Sequence, residues 1–218
     1  MNYIIDFDNT IFETGRLTKD VLNSLAETIV IEQPSLNKEE VLDDIKKSFN
    51  STIDNFFTFA SSLHKKYNVN KNSLYCAIYK KIIIEGKNYV FPDALEFLKK
   101  LHDTEETVCI LTYVAQPKNL SQQALKLSGS GILEYVTEVY NSTRYKFELE
   151  HIDFKNAIVI EDSPRDLKGF YQRGAKHLYR MIKPSNEKRT SQPLDIPIKI
   201  PTVTSFNNIP INIKSLEL

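Results

Sequence analysis

Several things are scarce or missing in this chain, and most of these absences close off a class of function. Cysteine occurs twice in 218 residues, at Cys76 and Cys109. That spacing matches no metal-ligand pattern, and both thiols read as reduced and either buried or incidental. Tryptophan is absent and glycine occurs six times, with no glycine-rich phosphate loop. The four histidines are scattered, so there is no His-Glu-x-x-His pair. Net charge is zero, with 28 basic against 28 acidic side chains. That balance supplies no broad field to draw in nucleic acid or an anionic membrane. No uncharged apolar run approaches the roughly 20 residues of a membrane span. Asp6 interrupts the apolar start where a secretory leader would continue its core, so a cytoplasmic protein is expected.

What is present begins at once. The chain opens MNYIIDFDNTIF, an apolar run ending in two carboxylates, Asp6 and Asp8. Two residues apart on a strand, they share a face about 6.6 Å apart. At an effective dielectric of about 20 they repel by roughly 2.5 kcal/mol. A domain with ~5–15 kcal/mol of net stability seldom keeps such a pair without a cation or water beside it.

Strand-length apolar runs recur at residues 3–7, 108–111, 136–140 and 157–160, with a fifth near 177–180. Helical patterns precede the later ones, at 94–101, 120–127, 147–152 and 167–173. This alternation predicts an α/β fold with a doubly wound parallel sheet, which binds ligands beyond the carboxyl ends of its strands. Four helical stripes fill the long gap between the first two strands. They run through Val21, Leu22, Leu25 and Ile29; Val41, Leu42, Ile45 and Phe49; Ile53, Phe56, Phe57, Ala60 and Leu63; and Leu74, Ala77, Ile78 and Ile82. The expected organisation is a core from 1–15 and 89–218 with an inserted α-helical cap over 16–88. Five of the nine prolines fall from Pro184 onward, so 184–218 reads as a proline-rich extension with an edge strand, for which the alternating run at 196–200 is the candidate unless it is an extended tail.

Three further features fall at expected strand ends or beside them. Thr112 closes the second strand with a hydroxyl. The fourth runs into acid, as Glu161-Asp162-Ser163-Pro164-Arg165-Asp166. Ser163 as a helix cap, Pro164 as first helical residue and Asp166 as capping-box partner account for part of that run. They leave Glu161 and Asp162 unexplained. Lys146 opens the segment before this strand, with Lys118 as its rival. The carboxylates need a cation, while the hydroxyl, amides and lysine need an anion. Mg²⁺ with a phosphate meets both demands.

Asp6-Phe7-Asp8-Asn9-Thr10, Thr112, Lys146 and the Glu161-Asp162…Asp166 cluster together resemble the four ordered motifs of the haloacid dehalogenase-like superfamily. The resemblance spans about 1–180, and residues 91–98 resemble the helix that re-enters the core after that family's helical cap. It implies a Rossmann-like core and a Mg²⁺-dependent phosphatase acting on a small phosphorylated metabolite through an aspartyl-phosphate. By the same resemblance Asp6 is the nucleophile and Asp8 the general acid–base, and Thr10 steadies the loop beside the substrate. Thr112, Tyr113 and Lys146 bind the phosphoryl group. Asp6, the Asp8 carbonyl and Asp162 hold the metal, supported by Glu161 and Asp166. Tyr113, Phe147 and Glu161 depart from the family's commoner Asn, Pro and first acid without removing a needed group. The same motifs also serve phosphomutases, and an idle binding module could keep the fold. Oligomeric state is left open.

Overall fold

The computed structural model describes residues 2–50, 55–184 and 193–211. Its strands are β1 (Asn2–Asp6), β2 (Thr107–Tyr113), β3 (Glu138–Ser142), β4 (Ala157–Glu161), β5 (His177–Met181) and β6 (Thr202–Val203). Its α-helices are α1 (Thr14–Glu32), α2 (Lys38–Ser48), α3 (Phe56–Tyr67), α4 (Lys71–Tyr79), α5 (Pro92–Asp103), α6 (Leu120–Ser130) and α7 (Pro164–Gln172). The strands form one sheet in the order β3-β2-β1-β4-β5-β6, every neighbouring pair parallel. Chain order reverses about β1, which lies between β2 and β4. The crevice at such a reversal is where open α/β sheets bind ligands.

Both faces of the sheet are covered, as the near-continuous apolar runs of β1, β2 and β4 require. Ile4, Cys109, Leu111 and Val159 join one cluster with Leu167 and Phe170 of α7. From β1, Tyr3 meets the edge of Phe97 on α5 at 5.7 Å. No described helix is long and apolar enough to cross a membrane.

The chain divides into two compact units. One holds residues 1–13, 90–114 and 132–218; the other holds 14–89 and 115–131. The second is built from α1 to α4 and α6, and the predicted stripes lie on the first four helices, except that Phe49 falls just past α2 and Ile82 in the π-helical turn Lys80–Ile84 after α4. Ile53 of the third stripe lies outside the described residues. Periodicity alone places α6 with the sheet, yet it packs in the helical unit. A Cβ added to Gly129 of α6 would sit 1.9 Å from the Ile82 carbonyl oxygen, and one on Gly86 would sit 2.5 Å from that of Gly129. Two backbones touch where side chains would hold them apart. Gly129→Ala should therefore cost at least about 1–3 kcal/mol, and amide hydrogen exchange should show protection lost in α4 and α6 before the sheet. Unchanged protection there would mean the contact is dispensable.

Three other expectations need correction. Residues 147–152 form no α-helix; there is only a short 3₁₀ turn, Lys146–Glu148, and then irregular chain. The apolar residues of the segment are used differently. Phe147 lies under α7, where a Cβ on Gly169 would come within 2.2 Å of its ring, and Leu149 and Ile152 pack on the sheet cluster. The third strand begins two residues later than predicted. The edge strand is β6, not 196–200. Pro197 and Pro201 have no N–H to give a ladder, whereas the Pro201 carbonyl accepts from the Arg180 N–H at 2.9 Å. Ile200 is instead buried against the sheet. The C-terminal segment is tied down at Asp93, whose Oδ2 accepts from Lys183 Nζ at 2.6 Å and from Ser205 Oγ and the Phe206 N–H at 2.9 Å.

Candidate active site

β1 delivers Asp6 to the carboxyl edge of the sheet and then stops. Phe7 turns inward and stacks on Phe12 at 4.9 Å. Asn9 takes a left-handed backbone, φ 63°. The N–H groups of Ile11 and Phe12 close onto the Phe7 carbonyl at 3.0 and 2.9 Å. Asp8 therefore lies in a tight loop beyond the strand, not on the strand face that the spacing suggests. It still converges with Asp6, because the two line one cavity with Tyr113, Lys146, Glu161, Asp162, Ser163, Arg165 and Asp166.

β2 brings Thr112, whose hydroxyl donates to Asp8 Oδ2 at 3.3 Å. Thr112 and Thr10 are not among the lining residues. Thr10 is wholly buried, and its hydroxyl has no hydrogen-bond partner among the described residues. β4 brings Glu161 and Asp162, both buried. Glu161 Oε1 accepts from the N–H groups of Asp162 and Ser163 at 3.1 and 3.0 Å. The Ser163 hydroxyl caps α7 by accepting from the Asp166 N–H at 3.4 Å. The expected capping box does not close, since the Asp166 carboxylate pairs with Arg165 at 3.1 Å.

Lys146, at the start of the 3₁₀ turn, is buried and donates to Asp6 Oδ1 and, at 2.7 Å, to Glu161 Oε2. Lys118 is exposed on a turn of the helical unit. Burial would weaken the charge on Lys146, but the Asp6 and Glu161 carboxylates outweigh it and hold the ammonium well above its ordinary range. Burial, then the like charge of Glu161, pushes Asp6 up to about 7 against the pull of Lys146. Burial likewise pushes Glu161 up to about 7. One lysine is too little cation for this many buried acids.

A hard divalent ion fits that deficit. Asp6 Oδ2 is buried with no hydrogen-bond partner among the described residues. Carboxylate oxygens of Asp6, Glu161 and Asp162 lie within 4.8 Å of one another. An all-oxygen donor set of this kind suits Mg²⁺. Glu161 is already engaged by Lys146 and two amides. A pH dependence follows. Without metal, the contribution of Asp6 and Glu161 to stability is full below the ordinary carboxylate range and is lost as pH rises through about 7. Protons and metal compete for Asp6, so Mg²⁺ should raise the melting temperature more at pH 8 than at pH 6. Equal shifts at both values would place the ion elsewhere.

The sequence profile of the haloacid dehalogenase-like hydrolases matches residues 3–179. The chain belongs to this family. No curated protein matches the sequence. Among solved structures of the haloacid dehalogenase-like fold, a protein from Burkholderia xenovorans LB400 designated a haloacid dehalogenase-like hydrolase superposes with a TM-score of 0.62 and 16% identity, over 94% of this chain and 92% of that one. The magnesium-bound hydrolase-designated YfnB of Bacillus subtilis gives 0.54 and 16%, over 100% and 98%. A phosphatase of the family from Thermococcus onnurineus gives 0.51 and 20%, over 84% and 86%. At such identities these relatives share the fold.

Sequence reasoning missed Arg165 and Tyr145 and read Ser163 only as a cap. Arg165 sits inside the acidic motif, flanked by residues that were read, so its position was the available signal. Tyr145 had none.

Proposed function

We propose that the chain is a Mg²⁺-dependent phosphatase of small phosphorylated metabolites, working through a phosphorylated Asp6. The observation that carries this is the state of Asp6: Oδ1 is held by Lys146 while buried Oδ2 has no hydrogen-bond partner among the described residues. A buried carboxylate positioned in this way by a lysine can offer its oxygens to a metal ion and to phosphorus.

A carboxylate oxygen of Asp6 attacks phosphorus, and the ester P–O bond breaks. The departing alkoxide takes the proton of the Asp8 carboxyl group. Asp8, now a carboxylate, takes a proton from the water that attacks the aspartyl-phosphate. The P–O bond to Asp6 then breaks and releases inorganic phosphate. The Thr112 hydroxyl steadies Asp8 between substrates and is the nearby donor for a phosphoryl oxygen once one arrives. Lys146 neutralises Asp6 and the transferring group. Asp6 and Asp162, with the Asp8 carbonyl, hold Mg²⁺, which supplies charge neutralisation for the phosphoryl oxygens. Glu161 acts through Lys146, and Asp166 supports the site. On the same reading the inserted helical unit is the cap that selects the substrate.

The test is phosphate release from an aryl phosphate and from a panel of sugar, nucleotide and amino-acid phosphates, with and without Mg²⁺. Metal-dependent release on at least one substrate is expected. An isomerised ester with no free phosphate would mark a mutase, and inertness across the panel would leave only a binding module.

A further inference from the structure

Beside the acids, the cavity is lined by Tyr113, the first ring of an aromatic stack that the reaction above does not use. Tyr113 and Tyr145 stack with centroids 5.4 Å apart and planes at 26°, and Tyr145 continues onto Phe147 at 5.5 Å and 8°. The Arg165 guanidinium lies over this stack, 4.4 Å from the Tyr145 centroid and 5.4 Å from that of Tyr113. Tyr113 and Arg165 both line the cavity.

Two of the guanidinium's donor groups are spoken for: Nε and Nη2 donate to Asp166 at 3.4 and 3.1 Å. Nη1 makes no hydrogen bond among the described residues, and the side chain is 52% exposed. The fork is thus fixed on one edge by a carboxylate and on one face by a ring, with its remaining edge open. Such fixing removes much of the rotamer entropy that binding would otherwise cost. Lys146, the other cation of the cavity lining, is buried and shared between Asp6 and Glu161. It cannot also serve a distant part of the substrate.

Resting on the phosphatase reading, we propose that Arg165, held on the Tyr113–Tyr145 stack, binds a second anionic group of the substrate, so that the preferred substrates are phosphate monoesters that carry a carboxylate or a second phosphate. A planar fork with one free edge matches either anion. Among this many carboxylates, a further negative group on the substrate would be repelled unless a dedicated cation received it. That makes Arg165 a specificity determinant for the distal end of the substrate.

The test is calorimetric binding with Mg²⁺ to the full chain, in Asp6→Asn to prevent turnover, using glycerol 3-phosphate, 3-phosphoglycerate and glycerol 1,3-bisphosphate. At least one of the two probes with an anionic tail should bind about tenfold or more tighter than glycerol 3-phosphate, and which one does so separates carboxylate from phosphate. Adding Arg165→Ala should bring the two affinities to within about threefold. Arg165→Lys should keep part of the preference, and Tyr145→Leu should reduce it while leaving the Arg165–Asp166 pair. Equal affinities in the parent, or an equal loss for all probes in Arg165→Ala, would overturn the assignment. The phosphatase reading fails separately: preference retained in binding, with no phosphate released by the unmodified chain, refutes hydrolysis and leaves the Arg165 subsite standing.

Discussion

Asp6→Asn should lower phosphate release by about 10⁴-fold or more, the scale on which loss of a nucleophile that acts as part of a unit is felt. The variant should nevertheless fold. The carboxamide has nearly the same shape, and it removes a buried charge that Glu161 and Asp8 oppose. Lys146 keeps its partner in Glu161 at 2.7 Å. Loss of one attraction against relief of several repulsions should leave melting within about 4 °C of the parent, equivalent to roughly 1 kcal/mol. Circular dichroism melts beside single-turnover assays check both halves. A correctly folded Asp6→Asn chain with more than about 1% of parental turnover would mean that phosphorus is attacked by something else.

Lys146→Met makes the opposite prediction for stability. Removing the ammonium leaves Asp6 and Glu161 as buried carboxylates with no cation between them. Breaking a buried pair in this way costs about 3–5 kcal/mol, and here two acids lose one partner. A fall in melting temperature of roughly 10 °C or more is expected in the absence of divalent ions. The deficit should shrink at pH 5 relative to pH 8. Carboxylates held above their unfolded pKa are stabilising while protonated and lose that contribution as pH rises. Mg²⁺ should restore part of the stability but not the rate, because a phosphoryl group would still arrive without its ammonium. A Lys146→Met chain as stable as the parent at pH 8 in chelator would show that the acids are neutralised in some other way.

The sheet was legible because its central strands are buried on both faces and so read as unbroken apolar runs. Asp6, Glu161 and Asp162 were legible for the converse reason, as acids placed where such runs end. Lys146 could be read only through the ordering of the motifs, since nothing local distinguishes it from other lysines. What failed to show was whatever depends on contacts distant in sequence. The segment at 147–152 has apolar residues at helical spacing, yet the space that Gly169 leaves for the Phe147 ring decides its path. Two glycines, each unremarkable alone, decide where α6 belongs. Prolines marked the C-terminal edge correctly, but carbonyl acceptance by Pro201 put the ladder a few residues later. The aromatic stack of Tyr113, Tyr145 and Phe147 combines residues from a strand end and a turn, and no periodicity joins them.

The helical unit is drawn from two separate stretches, with junctions after residues 13, 89, 114 and 131. Modular exchange is therefore awkward for this protein. A chimera that imports only 14–89 from a relative sets a foreign chain against Gly129, where there is no room for even one extra methyl group. Both stretches would have to be traded together, four splices at once. A lineage built this way broadens its repertoire more readily by point substitution than by shuffling.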